Sequence, residues 1–130
     1  MSERYETRDG VRAVIERFGL PPRLLDDQDW ALTAVAPDRV PALLASYEDE
    51  AWDEEGRLAL MTWILASLDD ASYHAPVAPE IEARLAAIVA RDRALLADKL
   101  AYWARLDEPD LDPADGFAIT ELARRLIATA

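Results

Sequence analysis

All eight prolines of the chain fall in four close pairs: Pro21 with Pro22, Pro37 with Pro41, Pro76 with Pro79, and Pro109 with Pro113. Proline inside a helix removes a backbone hydrogen bond and clashes with the preceding turn, whereas in the first turn it is tolerated. The pairs therefore read as punctuation between helices. Between them the apolar residues recur with helical period, and no segment alternates as a half-buried strand would. The predicted fold class is all-α.

Val11, Val14, Ile15 and Phe18 make one apolar face, which predicts a helix over residues 8–18 with Gly19 as its stop. Leu24, Leu25, Trp30, Leu32 and Val35 follow less regularly among Asp26, Asp27 and Asp29, and fit two short turns or one frayed helix equally. Val40, Leu43, Leu44 and Tyr47 form the next face, with Asp38 as the expected N-cap and an end near Glu50. Asp53 can cap the following helix, and Glu54 and Glu55 suit the positive end of its dipole. Over residues 58–68, including Met61, Trp63, Ile64 and Leu65, nearly every position is apolar, so this helix should be buried on several sides and form the centre of the fold.

Ile81, Leu85, Ile88 and Val89 make one stripe, and Leu95, Leu96, Leu100, Trp103 and Leu106 another. A single helix would join the stripes but would set Asp92 in the middle of the buried face, at a high desolvation cost. A break near Arg91, with Asp92 capping a new helix, is expected instead. The last helix is expected to open with Asp112-Pro113-Ala114-Asp115 and to turn Phe117, Ile119, Leu122, Leu126 and Ile127 inward. The sum is one domain of about six to seven helices, at a length near the commonest for single domains. A weak recurrence runs through it: Pro41 to Pro79 is 38 residues, Asp53 to Asp92 is 39, and Trp63 to Trp103 is 40. Helical hairpins at that period resemble HEAT-like repeats; an irregular helix bundle is the competing architecture.

The charge is one-sided, with 26 Asp and Glu against 14 Lys and Arg and a formal net charge of −12. Affinity for a phosphate backbone comes largely from cationic side chains releasing counterions, so direct nucleic-acid binding is not expected and a basic protein partner is. The absence of cysteine excludes disulfides, thiolate metal sites and cysteine nucleophiles. The charged first ten residues lack the apolar core of a secretory signal, and residues 58–68 fall short of the roughly 20 needed to span a bilayer. No membrane association and a cytoplasmic location are the expectations.

His74 is the sole histidine, so a multi-imidazole zinc site is impossible and a Ser-His-Asp triad would have to use it. It stands in Ser72-Tyr73-His74-Ala75-Pro76 with no nucleophile motif nearby, and reads as a solvated loop residue. The glycines at 10, 19, 56 and 116 are too scattered for a phosphate-cradling loop. Asp69 with Asp70, or Glu80, could serve acid–base chemistry or a hard metal, but without a supporting ligand motif they read as solvated charge. The run from Asp110 to Gly116 places its glycine at position seven, not the six of a calcium loop, and is better read as helix capping. No catalytic residue, metal or cofactor is expected.

The segment Glu48-Asp49-Glu50-Ala51-Trp52-Asp53-Glu54-Glu55 sets six acids around one large aromatic, the composition of a binding hot spot for a basic surface. Its alternative is a solvated helix junction with Trp52 folded back onto the core. A second acidic group, Asp107, Glu108, Asp110, Asp112 and Asp115, lies at the junction before the last helix. Glu48, Asp49, Glu50, Trp52, Asp53, Glu54, Glu55, Asp107, Glu108 and Asp110 are the candidate partner-binding residues. Trp30, Trp63, Trp103, Tyr47 and Tyr102 are expected in the core, and Tyr73 outside it.

Residues 58–70, LALMTWILASLDD, and residues 102–107, YWARLD, resemble stretches of small helical bacterial immunity proteins encoded beside polymorphic toxins. The resemblance implies a cytoplasmic protein that binds one toxin and blocks it, and carries over no toxin-contacting residue. An adaptor, a regulatory module or a DNA mimic is the alternative reading, with a carboxylate-dependent hydrolase behind it.

Overall fold

The computed structural model describes residues 5–129, and these contain seven α-helices, three short 3-10 turns and no strand. The chain divides into two compact units, Tyr5–Ser67 and the part from Leu68 onward. Among the described residues no helix is long and apolar enough to cross a membrane.

In the first unit, α1 (Arg8–Phe18) is closed at both ends by local chemistry. The Thr7 hydroxyl accepts from the Gly10 N–H at 3.1 Å, and Gly19 takes the left-handed conformation, φ 65°, that favours glycine. The less regular stretch resolves into a 3-10 turn, Pro22–Asp26, and the single turn α2 (Trp30–Thr33). Asp27 organises the link by accepting from the Asp29 N–H at 2.8 Å and the Thr33 hydroxyl at 2.6 Å. The next helix, α3 (Val40–Asp49), ends where expected but is not capped by Asp38. Asp38 lies inside a 3-10 turn, Pro37–Arg39, that runs directly into α3, so the Arg39 and Val40 N–H groups already donate to the Ala36 and Pro37 carbonyls.

The helix α4 (Glu54–Ser72) begins as the sequence indicates, with the Asp53 carboxylate accepting from the Gly56 N–H at 2.7 Å and Glu54 and Glu55 in its first turn. Every residue from 58 to 68 is buried. At about 1.5–3 kcal/mol for each large aliphatic side chain removed from water, this helix carries much of the core. Its polar residues are satisfied: the Thr62 hydroxyl donates to the Leu58 carbonyl, the Ser67 hydroxyl accepts from the Ala36 N–H, and the Trp63 indole N–H donates to the Ala34 carbonyl at 2.9 Å. Helix α1 comes so close to α4 that a methyl on Gly10 would strike the Glu55 carbonyl and stand 3.4 Å from the Ala59 Cβ.

In the second unit, α5 (Pro79–Arg91) and α6 (Arg93–Trp103) break at Asp92 as predicted, but the Asp92 side chain does not cap α6. Its backbone, φ −112° and ψ 32°, leaves the helical region and makes the break, while its carboxylate lies 3.4 Å from the Arg91 guanidinium. The recurrence of about forty residues therefore marks unlike parts, since α4 is 19 residues with a side-chain cap and α6 is 11 without one. Asp112 does cap, with Pro113 next, but the result is one 3-10 turn, Pro113–Asp115. The final helix α7 starts only at Thr120 and runs to Thr129. Its start is fixed by buried groups: the Thr120 hydroxyl accepts from the Phe117 N–H and donates to the Trp103 carbonyl, both at 2.8 Å, and Asp69 accepts from the Ile119 N–H at 3.1 Å.

Asp69 is therefore not the solvated carboxylate that the sequence suggests; it is 9% exposed. Burial pushes its pKa up, against the downward pull of the Ile119 and Ala118 N–H groups, and the Asp70 charge adds to the rise. Tyr102 and Leu106 depart from the expected core, at 58% and 46% exposed. Adjacent helical residues point about 100° apart, so Trp103, 6% exposed, takes the inward position and Tyr102 cannot. Leu106 lies beyond the end of α6, where Arg105 adopts a left-handed backbone, φ 55°, and redirects the chain. Trp30, Tyr47 and Trp63 are buried as expected, while Phe117 and Ile127 are only half-buried.

Two outcomes follow from this packing. Gly10→Ala, favoured by helix propensity alone by up to about 1 kcal/mol, is expected to destabilise the chain by about 1–3 kcal/mol in denaturant unfolding, because the methyl overpacks the α1–α4 contact; a gain in stability would show that the helices are not so close. The second concerns Asp69. Its folded-state pKa stands above the unfolded one, so its contribution to stability is fully present below the ordinary carboxylate pKa and is lost as pH rises through the raised value. Asn retains an acceptor for the Ile119 N–H without the charge, so Asp69→Asn should gain stability relative to wild type as pH is raised from about 4 to 7. Unfolding curves of the two proteins across that range test this, and a pH-independent difference would sink it.

Candidate functional site

The first acidic segment bridges α3 and α4. Glu48 and Asp49 close α3, Glu50 is the residue after it, Ala51 to Asp53 form an irregular link in which the Trp52 N–H donates to the Glu50 carbonyl, and Glu54 and Glu55 open α4. Carboxylates at a helix C-terminus face the negative end of its dipole and need a counter-charge. Arg17, at the end of α1, supplies it to Glu50 through two parallel bonds of 2.6 and 2.7 Å. This guanidinium holds the Glu50 carboxyl below the usual carboxylate range. Asp49 is exposed and engages no partner among the described residues. Glu48 and Glu54 are exposed, Glu55 is half-buried, and Asp53 is occupied as the cap of α4.

Trp52 is folded back. Its ring stacks on Phe18 at 6.3 Å and 9°, and its indole N–H reaches the Ser46 carbonyl and hydroxyl at 3.2 and 3.3 Å. Phe18 in turn meets the Trp63 ring edge-on at 5.3 Å and lies under the guanidinium groups of Arg17 and Arg39. Gly56 gives the indole its place, since a Cβ there would come within 2.6 Å of the Trp52 ring. The half-buried indole forms part of a shallow groove of about 420 Å³, with Ala13, Arg17, Glu50 and Asp53 around it.

The second acidic group lies on the connector between α6 and α7. Arg105 donates to Asp107 at 3.2 Å and to Glu108 at 2.7 Å, and its guanidinium holds the Asp107 carboxyl below its ordinary pKa. Asp112 is turned to its own backbone as a cap, whereas the carboxylates of Asp110 and Asp115 are exposed and engage no partner among the described residues. Arg124, from α7, gathers the connector by donating to the carbonyls of Ala104 and Leu111, both at 2.8 Å, and of Glu108 at 3.4 Å. Beside the connector opens a cleft of about 440 Å³ lined by Tyr73, Asp112, Pro113, Phe117 and Glu121. Tyr73 and His74 are both exposed, as the sequence indicates. Among the described residues no three His, Asp or Glu side chains converge where they could hold a metal ion.

Of the candidates, Glu50, Trp52, Asp53, Asp107 and Glu108 thus have work inside their own unit, and Asp49 and Asp110 do not. Arg17, Arg105 and Arg124, which position these acids or their backbone, were not legible as site residues. Arg105 alone left a local signal, three positions before Glu108. The division predicts unequal responses to charge reversal. Glu50→Lys places a second cation against Arg17 and is expected to lower Tm by a few degrees, whereas Asp49→Lys should leave it unchanged. Thermal melts of the two variants check this, and equal Tm values would mean that the Arg17–Glu50 pair contributes nothing.

No protein family, curated protein or solved structure matches the chain.

Proposed function

We propose that this chain is an acidic protein-binding domain that docks on a basic protein surface, and that it acts in the cytoplasm as an immunity protein, holding and neutralising a cognate toxin. The observation that carries the reading is the state of its acidic junctions: carboxylates fixed by arginines and caps stand beside exposed ones, on a chain of net charge −12. Such a surface accelerates encounter with a basic partner and discourages acidic ones, through a field that salt screens. The toxin-directed part rests on the resemblance of residues 58–70 and 102–107 to immunity proteins. Residues 58–68 are buried, so that likeness bears on the helix that carries the fold, and the partner-facing residues are this chain's own.

The test is affinity capture from the cells that carry the gene, eluted with a salt gradient, followed by co-expression of the captured protein. The expected result is a basic protein released as the Debye length falls from about 10 Å at 0.1 M salt to about 3 Å at 1 M, whose toxicity to growth disappears when this chain is co-expressed. A captured partner that is basic but harmless would remove the immunity role and leave the binding role. Capture only of neutral or acidic proteins would remove both.

A further inference from the structure

The second unit leaves two tyrosine rings exposed at the edge of its core. Tyr102, 58% exposed, leans on Phe117 with centroids 5.2 Å apart, and Phe117 lines the cleft of about 440 Å³ together with Tyr73, 68% exposed. Asp112, which caps the turn, and Glu121, paired with Arg125 at 3.3 Å, line that cleft, and the adjoining connector carries Asp107 and Glu108 together with Asp110 and Asp115, whose carboxylates have no partner among the described residues. The only cation between α6 and α7 is Arg105, which is engaged by Asp107 and Glu108 and lies over the Phe117 ring at 5.8 Å, leaving the rings of Tyr73 and Tyr102 for a guanidinium from outside. We infer that this aromatic cleft is the docking site for an arginine side chain of the basic partner. The inference rests on the reading of the chain as an acidic protein-binding domain and names where the partner sits and which residue it presents.

Charge selects the occupant. A second copy of this chain would bring a net charge of −12 against an acidic face, and self-repulsion opposes that contact. A cationic side chain meets complementary charge. Arginine fits better than lysine because its planar guanidinium stacks on a ring face while its fork of N–H donors reaches carboxylates, whereas an ammonium is a compact and strongly hydrated point charge. The site is also pre-ordered. Arg124 holds three connector carbonyls, Asp112 caps the turn beside the cleft, and Thr120 ties the Phe117 amide to the Trp103 carbonyl, so little backbone freedom remains to be lost on binding.

The experiment titrates the isotope-labelled full chain with N-acetyl-octaarginine amide and, separately, with the octalysine peptide of equal charge, at low salt, following backbone amide shifts. Expected are shifts centred on Tyr73 and on residues 102–121, and binding of the arginine peptide about twofold to fivefold tighter than the lysine peptide, the range of an exposed cation–π contact. Tyr73→Ala with Tyr102→Ala should erase that preference while leaving charge-driven binding; both side chains are exposed, and an unchanged Tm will confirm the fold. Equal affinity for the two peptides, or a preference that survives the double substitution, overturns the proposal. Shifts centred on residues 48–55 overturn it too, while leaving the acidic binding reading intact. No saturable binding of either peptide overturns both.

Discussion

Eleven consecutive buried residues, 58 to 68, leave the middle of α4 with no face for water, and this constraint shapes the rest of the first unit. A helix surrounded on every side has to be approached closely, which is why α1 presents Gly10 where it meets the backbone of Glu55. It also has to satisfy its own polar groups. Thr62 bonds back to its own helix, while Ser67 and Trp63 reach residues 34–36 and so fix the loop between α2 and α3. The aromatic sequence Trp63, Phe18, Trp52 then extends the core outward, edge-on and then stacked, to the surface at the α3–α4 junction. Trp52 is the outer end of that series, and its position follows from α4 more than from any partner.

The excess of acid over base has to be accommodated inside the same fold. Arginines are set against carboxylates that gather at element ends: Arg17 on Glu50, Arg105 on Asp107 and Glu108, and Arg125 on Glu82 in the first turn of α5. The guanidinium groups lower the pKa of Glu50, Glu82 and Asp107, so those three contributions are present at neutral pH and are lost as pH falls through the depressed values. Asp69 runs the other way, because its burial outweighs the N–H groups it accepts from. At neutral pH the chain therefore combines surface pairs that favour the ionised carboxyl with one buried carboxylate whose ionisation is disfavoured while it orders the start of α7. Conformational specificity bought with a buried polar group is a recognised exchange in protein cores.

Features that depend on neighbours in sequence were legible: the bounds of α1, the Asp53 cap with its acidic first turn, the buried run in α4, and the break between α5 and α6. Features that depend on distant residues were not. Asp112-Pro113 is a sound local start signal and does form a capped turn, yet α7 begins at Thr120 because Asp69, fifty residues away, and the Trp103 carbonyl take the groups there. Glu50 looked free because its partner lies 33 positions earlier. Tyr102 satisfied the apolar periodicity of α6 but lost the inward place to Trp103, a choice between neighbours that periodicity alone does not make.

The two candidate junctions differ in what their aromatics are doing, and this bears on how an acidic surface becomes a specific one. Charge alone steers partners and excludes wrong ones, whereas affinity in most interfaces concentrates in a few desolvated aromatic or arginine anchors. At the α3–α4 junction the single indole is stacked and hydrogen-bonded within its own unit, so a partner would have to break those contacts to use it as an anchor. At the α6–α7 connector the rings of Tyr73 and Tyr102 remain exposed, while the backbone beneath is held by Arg124 and Thr120. A held backbone with exposed aromatic rings has already lost the entropy that binding would otherwise remove, and of the carboxylates beside it those of Asp110 and Asp115 are left for an incoming guanidinium.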